Sequence, residues 1–251
     1  MKSIWQKDYA MVFWADEERE PVETVLKIND FLRPYGEDYV LKYLNDRVEV
    51  AMDRQALAER CDPNRRKDEL LTQSYFSGNR IWFALSTGRT EYNRRMAPQM
   101  MPATEVLTLE FDSTHLQGAD PALDFIRLQE IFWYCLHLFA PYYGRLQMTG
   151  EVNYEASPYR EISYTIDLTK VPAAIEWFNY FNPEWVDRLG GLEDFLTAPV
   201  LLAEPVEGLG GVVLILQEEP FDYRNPRHLQ NRALVEAHLD LPRLHQLFRE
   251  S

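Results

Sequence analysis

The chain is expected to fold as α+β, a largely antiparallel mixed sheet with helices packed on it, and three observations predict this. Short apolar runs bounded by turn residues recur along the sequence, as strands do. Two longer stretches, 20–32 and 120–139, carry apolar residues at helical spacing behind an acid and a proline. The order is mixed: strands and helices alternate early, strands then cluster, and helices close the chain. That order favours an antiparallel sheet over a doubly wound parallel one. With no repeat of 20–50 residues and no low-complexity tract, a single domain over 1–251 is expected, with a weak seam near the polar stretch 61–69.

Tyr9–Trp14 is a short aromatic and apolar run followed by a burst of acid, and reads as a buried strand. A helix follows from Glu20 to Leu32. Pro21 suits its first turn, where a missing N–H costs nothing, and Val22, Val25, Leu26, Ile28, Phe31 and Leu32 give it an apolar side. Pro34-Tyr35-Gly36 ends it. Between 38 and 60, a strand fits at Tyr39–Leu44 or at Val48–Met52, and Asp53 suits the cap of a short helix through Arg60. Arg80–Leu85 and Glu105–Phe111 are the next strands.

The longest helix is expected over Asp120–Phe139, with Asp120 as cap and Pro121 at the first helical position. Its second half is apolar almost all round, so that end should be buried. Strands are expected at Tyr143–Thr149, Ile162–Ile166 and Ala174–Phe181, then a short helix from Asn182-Pro183 closed by Gly190-Gly191, and another turn or two at Leu192–Thr197. Val200–Pro205 and Gly211–Leu216 form a hairpin around VEGLGG. Pro226–His238 and Pro242–Phe248 are helical.

Charge narrows the function classes. The chain has 26 Lys and Arg against 40 Asp and Glu, a formal net charge of −14. Nucleic-acid affinity comes largely from neutralising phosphates, so this balance argues against DNA or RNA as a partner, and equally against an anionic membrane. A basic protein would be attracted and steered. Simple solubility is the other explanation of the acidity. Cys61 and Cys135 are too few and too far apart for a disulfide framework, and Cys135 reads as core. The first residues lack a secretory apolar segment, and no run of 18 apolar residues occurs, so a cytoplasmic protein is expected.

No motif supports catalysis, and the chain is expected not to be an enzyme and to need no cofactor or metal. Gly208–Gly211 (GLGG) lacks the third glycine and following helix of a dinucleotide site, and suits a hairpin turn better. His115, His137, His228, His238 and His245 show neither HExxH nor a zinc spacing. There is no GxSxG elbow. A hydrolase built on scattered carboxylates stays open, since only spatial separation reveals such a pair.

Acid distribution is more telling. From Leu189 through Tyr223 there is no Lys or Arg, while Glu193, Asp194, Glu204, Glu207, Glu218, Glu219 and Asp222 all fall there. A second cluster is Asp16, Glu17, Glu18, Glu20 and Glu23. Both suit a solvated face with acids complementing helix dipoles; the first also suits a docking patch for a basic partner. Its candidate contact residues are Glu204, Glu207, Glu218, Glu219 and Asp222. Trp177, Phe178, Tyr180, Phe181 and Trp185 should be mostly core, with one or two left exposed as interface anchors.

The run Ala174–Gly191, AIEWFNYFNPEWVDRLGG, followed by Phe195–Leu216, resembles the immunity protein 52 family of polymorphic-toxin and type VI secretion systems. The residues that carry the resemblance are Trp177, Asn179, Tyr180, Phe181, Pro183, Glu184, Trp185, Val186, Gly190, Ala198, Pro199, Gly210 and Gly211, in the motif region 174–216. A related type VI immunity family is a close competitor. Either resemblance implies a stoichiometric inhibitor of a cognate secreted toxin, a nuclease with a basic surface, and no catalytic residues. It also implies a structural role for Trp177, Asn179, Trp185, Gly190, Gly210 and Gly211. An adaptor that binds an effector without inhibiting it is the remaining alternative.

Overall fold

The structure is a computed structural model that describes residues 8–17, 19–36, 40–42, 49–61, 72–77, 81–87, 105–113, 116, 124–149, 172 and 174–249. The chain divides into two compact units, one of Met11–Pro141 and one of Met1–Ala10 with Tyr142–Ser251. The polar stretch 62–69 lies outside the described residues.

In the unit Met11–Pro141, β1 (Tyr9–Ala15, its first two residues counted with the other unit) is buried along almost its whole length. Helix α1 (Pro21–Leu32) starts where expected: the Glu20 carboxylate accepts from Val22 N and Glu23 N, satisfying N–H groups the helix cannot. Val22, Val25, Ile28 and Leu32 are buried, and a 3-10 turn, Arg33–Tyr35, ends at Gly36 with φ +80°. Both strands suggested between 38 and 60 form: β2 (Val40–Lys42) and β3 (Glu49–Ala51) pair antiparallel. Asp53 accepts from Ala56 N at 2.9 Å to cap α2 (Arg54–Cys61). Strand β4 (Thr72–Ser77) is an addition to the expected elements, because TQSYFS is too polar to show an apolar run. With β5 (Ile81–Thr87) and β6 (Glu105–Phe111) the strand order here is β3-β2-β4-β5-β6-β1, antiparallel at β3–β2, β2–β4, β4–β5 and β5–β6.

Helix α3 (Phe125–Phe139) begins later than expected. Asp124, in extended conformation, is the cap, its carboxylate accepting from Arg127 N at 2.9 Å; Asp120 and Pro121 lie outside the described residues. Leu128, Ile131, Phe132, Cys135, Leu136 and Phe139 are buried, and Phe132 meets Phe13 at 5.0 Å between centroids. Burial pushes the Cys135 thiol far up, as suits a core residue.

In the other unit the sheet runs β7 (Tyr143–Met148), β8 (Phe178–Phe181), β10 (Val212–Ile215), β9 (Leu202–Pro205), every neighbour antiparallel. The strand expected over Ala174–Phe181 is shortened to its second half. Asn179 is the cause: its side-chain amide donates to Glu176 O and accepts from Glu176 N, both at 2.8 Å, so a local side chain takes the backbone groups a ladder would use. The strand expected at Ile162–Ile166 lies outside the described residues. Asn182 caps α4 (Pro183–Arg188) through Trp185 N, and α5 (Leu192–Leu196) follows Gly190 and Gly191, whose φ values are +107° and +98°. Helices α6 (Pro226–His238) and α7 (Leu241–Arg249) close the chain. Among the described residues no helix is long and apolar enough to cross a membrane.

Candidate interaction surface

The site grows from β10. Its four residues are all buried, between β8 and β9. Leu216 N–H bonds to Trp177 O, so residues 212, 214 and 216 turn their backbone groups toward β8 and Val213 and Ile215 toward β9. Val213 faces Glu204 and Ile215 faces Leu202, so the Pro205 nitrogen points away from β10. Among the described strands β9 is last in the order, and it is short with a proline turned outward, a guard against pairing with another strand. The dimer through this edge that an open strand invites is therefore disfavoured.

The turn of the hairpin explains GLGG. Gly208 and Gly210 have φ of +80° and +74°, and Val206 N–H closes the loop on Gly211 O at 2.8 Å. Gly211 has a different reason: a Cβ there would lie 2.2 Å from Phe181 O and 2.6 Å from a Tyr180 ring carbon. At Gly190 an added Cβ would lie 2.0 Å from an Asp194 carboxylate oxygen.

Beneath the hairpin the aromatic cluster is all core. Trp177, Phe178, Tyr180, Phe181 and Trp185 are each at most 4% exposed, which corrects the expectation that one or two would stand free as anchors. Trp177 donates its indole N–H to Gln217 O at 2.8 Å and meets Tyr9 and Phe178 edge-on. Such rings offer area only when something else fails to cover them, and here β8, β10 and α5 do. Burial pushes the Tyr180 hydroxyl up to about 12.

The candidate contact residues separate into two groups. Glu204 and Glu207 lie at the turn end of the hairpin. Glu218, Glu219 and Asp222 lie beyond its other end, where Ile215 pairs with Leu202. Extended chain rises about 3.3 Å per residue, so roughly 15 Å separates Glu218 from the level of Glu204. Glu204, Glu207, Glu218 and Glu219 are exposed, and among the described residues no side-chain ion pair engages them. Asp222 is different. Partial burial pushes its carboxyl up, but hydrogen bonds from the Arg224 side chain and backbone outweigh this and hold it below the ordinary Asp range. Its backbone N–H donates to His228 Nδ1. It is a turn-forming residue more than a free charge.

Sequence reasoning missed two features. One is a buried polar network: Tyr223 donates to the wholly buried Glu176 at 2.5 Å, Glu236 accepts from Ile175 N at 3.0 Å and pairs with Arg232, and Arg232 lies over the Phe221 and Tyr223 rings. Burial raises the Glu236 carboxyl despite Arg232 and the Ile175 N–H. Residues this far apart in sequence leave no local signal. The other is the exposure of Leu192, Leu196 and Leu201, leucines set among acids in the cation-free stretch.

The histidines do not converge. His238 Nε2 lies 2.9 Å from Asp194 O, His245 Nε2 lies 2.9 Å from Pro172 O, His137 is exposed at the end of α3, and His115 lies outside the described residues. Among the described residues no three His, Cys, Asp or Glu side chains group to hold a metal.

No family model and no curated protein matches the chain. In fold it is similar to a solved structure, Pseudomonas aeruginosa T6SS protein PA0821, with a TM-score of 0.59 and 13% identity, covering 93% of this chain and 72% of that one. At that identity the likeness concerns the fold, an α+β architecture with an antiparallel sheet and packed helices.

Proposed function

We propose that the chain is an immunity protein of a type VI secretion system, which binds a cognate toxin in the cytoplasm and neutralises it one to one. The toxin is a nuclease with a basic surface. The observation that carries this reading is the stretch Leu189–Tyr223, free of Lys and Arg, whose glutamates stand exposed at the turn of a hairpin anchored in buried β10 (204 and 207) and just beyond its other end (218 and 219). Negative potential on a rigid support attracts a nucleic-acid-binding surface, because that surface is built to meet phosphate. The fold likeness to a protein described as belonging to a T6SS supports the system, and the motif residues 174–216 support the immunity class.

The chain acts without catalysis. In the unit that carries the hairpin, the wholly buried Glu176 and the half-buried Glu236 are taken up by Tyr223, Ile175 N–H and Arg232, an arrangement suited to holding the unit together. Co-expression with the product of the gene encoded beside it is the test. Rescue of growth together with a one-to-one complex is expected. A stable complex without rescue assigns the adaptor role instead, and turnover of a small substrate without a complex overturns the proposal.

A further inference from the structure

Of the five large apolar side chains exposed among the described residues, three fall between 192 and 201: Leu192 at 48%, Leu196 at 44% and Leu201 at 53%. Leu192 and Leu196 are one helical turn apart on α5, so they lie on one side of it. Phe195, fully buried, meets Phe181 edge-on at 5.2 Å and fixes that helix to the sheet. Leu201 is held by its N–H, which donates to Ile215 O at 2.9 Å. The leucines are therefore displayed by backbone that cannot fold them inward. Glu193 and Asp194 lie on the same helix, and Glu218 and Glu219 follow Leu216, whose carbonyl accepts from Leu201 N–H; the stretch itself holds no Lys or Arg, and Arg188 and Arg243, outside it, line a hollow with Asp194.

We propose that Leu192, Leu196 and Leu201 form the apolar centre of the partner-binding surface, and that its occupant is a protein presenting apolar side chains ringed by Lys and Arg. This rests on the reading of the chain as a protein-binding inhibitor and adds where the grip lies. Charge steers an encounter, while desolvated apolar contact holds the complex. A second copy of this chain is the wrong occupant, since it would set acids against acids at a net charge of −14 each. Addition of a strand is disfavoured by the outward Pro205 nitrogen.

The test titrates the full chain, with labelled leucine methyls, against a synthetic peptide alternating Lys with Leu and a control alternating Lys with Ser. Methyl shifts are expected at Leu192, Leu196 and Leu201. The variant carrying Leu192→Ser, Leu196→Ser and Leu201→Ser should bind the first peptide about tenfold or more weakly, from the apolar area lost. Ile126→Ser, which removes another exposed apolar side chain, should bind as the parent does. The Ser control peptide should bind the parent about tenfold more weakly than the Leu peptide. Thermal unfolding checks that the variant is folded, and Leu201→Ser alone, with a smaller but measurable loss, replaces it otherwise. Equal binding by variant and parent, equal binding of both peptides, or a dimer of the parent abolished in the variant each overturns the proposal. Failed toxin rescue beside intact peptide binding would sink the nuclease-immunity reading and leave this surface standing; rescue with no peptide effect would do the reverse.

Discussion

Two acid-rich stretches look alike in sequence and behave differently in the structure. Between Asp16 and Glu23 three of the acids have local work. Glu17 pairs with Arg19 at 3.4 Å, Glu20 caps α1, and Glu23 pairs with Arg54, which holds its carboxyl below the usual range. Arg19 also donates to Phe139 O. In the hairpin stretch, among the described residues Asp222 alone of the candidate contact acids pairs with a cation, Arg224, and the glutamates at 204, 207, 218 and 219 face solvent. Counting acids measures charge, whereas potential open to a partner depends on how many are already answered by a cation or a helix N-terminus.

The comparison can be broken at its foundation first. Trp177→Ala removes a buried ring and leaves Gln217 O without its donor, and should cost about 3–5 kcal/mol of unfolding free energy. Urea titration measures it. A loss near zero would mean the hairpin does not stand on this core. Next, reversal of Glu204, Glu207, Glu218 and Glu219 to Lys should slow association with the toxin about tenfold to a hundredfold and flatten its dependence on salt, with the urea midpoint nearly unchanged. Stopped-flow mixing at several ionic strengths reads this, and unchanged rates would remove these residues from the surface.

Glu20→Ala should have the opposite profile, a stability loss of about 1 kcal/mol from the missing cap and no change in association. An effect on association would erase the distinction between the stretches. The smallest expected effect concerns pH. The Glu236 carboxyl is raised in the folded state, so the fold binds this proton more tightly than the unfolded chain does. Its contribution is fully present below the unfolded Glu pKa of about 4.3 and is lost as pH rises through the raised folded value. The stability of the parent relative to Glu236→Gln should accordingly decline from about pH 4 upward. A flat difference would show that Arg232 and the Ile175 N–H fully compensate its burial.

Elements with strong local signals were legible. α1 begins at Pro21, β6 spans Glu105–Phe111, and the hairpin turns at VEGLGG, because caps, alternation and positive-φ glycines act over a few residues. Three readings needed the neighbours. Asp124 caps α3 because its carboxylate meets Arg127 N, and Asn179 cuts β8 short by bonding Glu176. The polar strand β4 forms because β2 and β5 flank it and supply its ladder bonds. At the candidate surface, the cation-free stretch could be read directly, but not the division of its acids between the two ends of the hairpin.

What the sequence determined by itself is the α+β class, the net negative charge, the turn positions and the segment where acids occur without cations. Only the tertiary structure decided that five aromatics in one run are all covered, that Asp222 is engaged while its fellow glutamates are open, and that three leucines are not covered. The reason is physical: backbone preferences and composition act through near neighbours, whereas exposure and ion pairing depend on residues that the fold brings together from far along the chain.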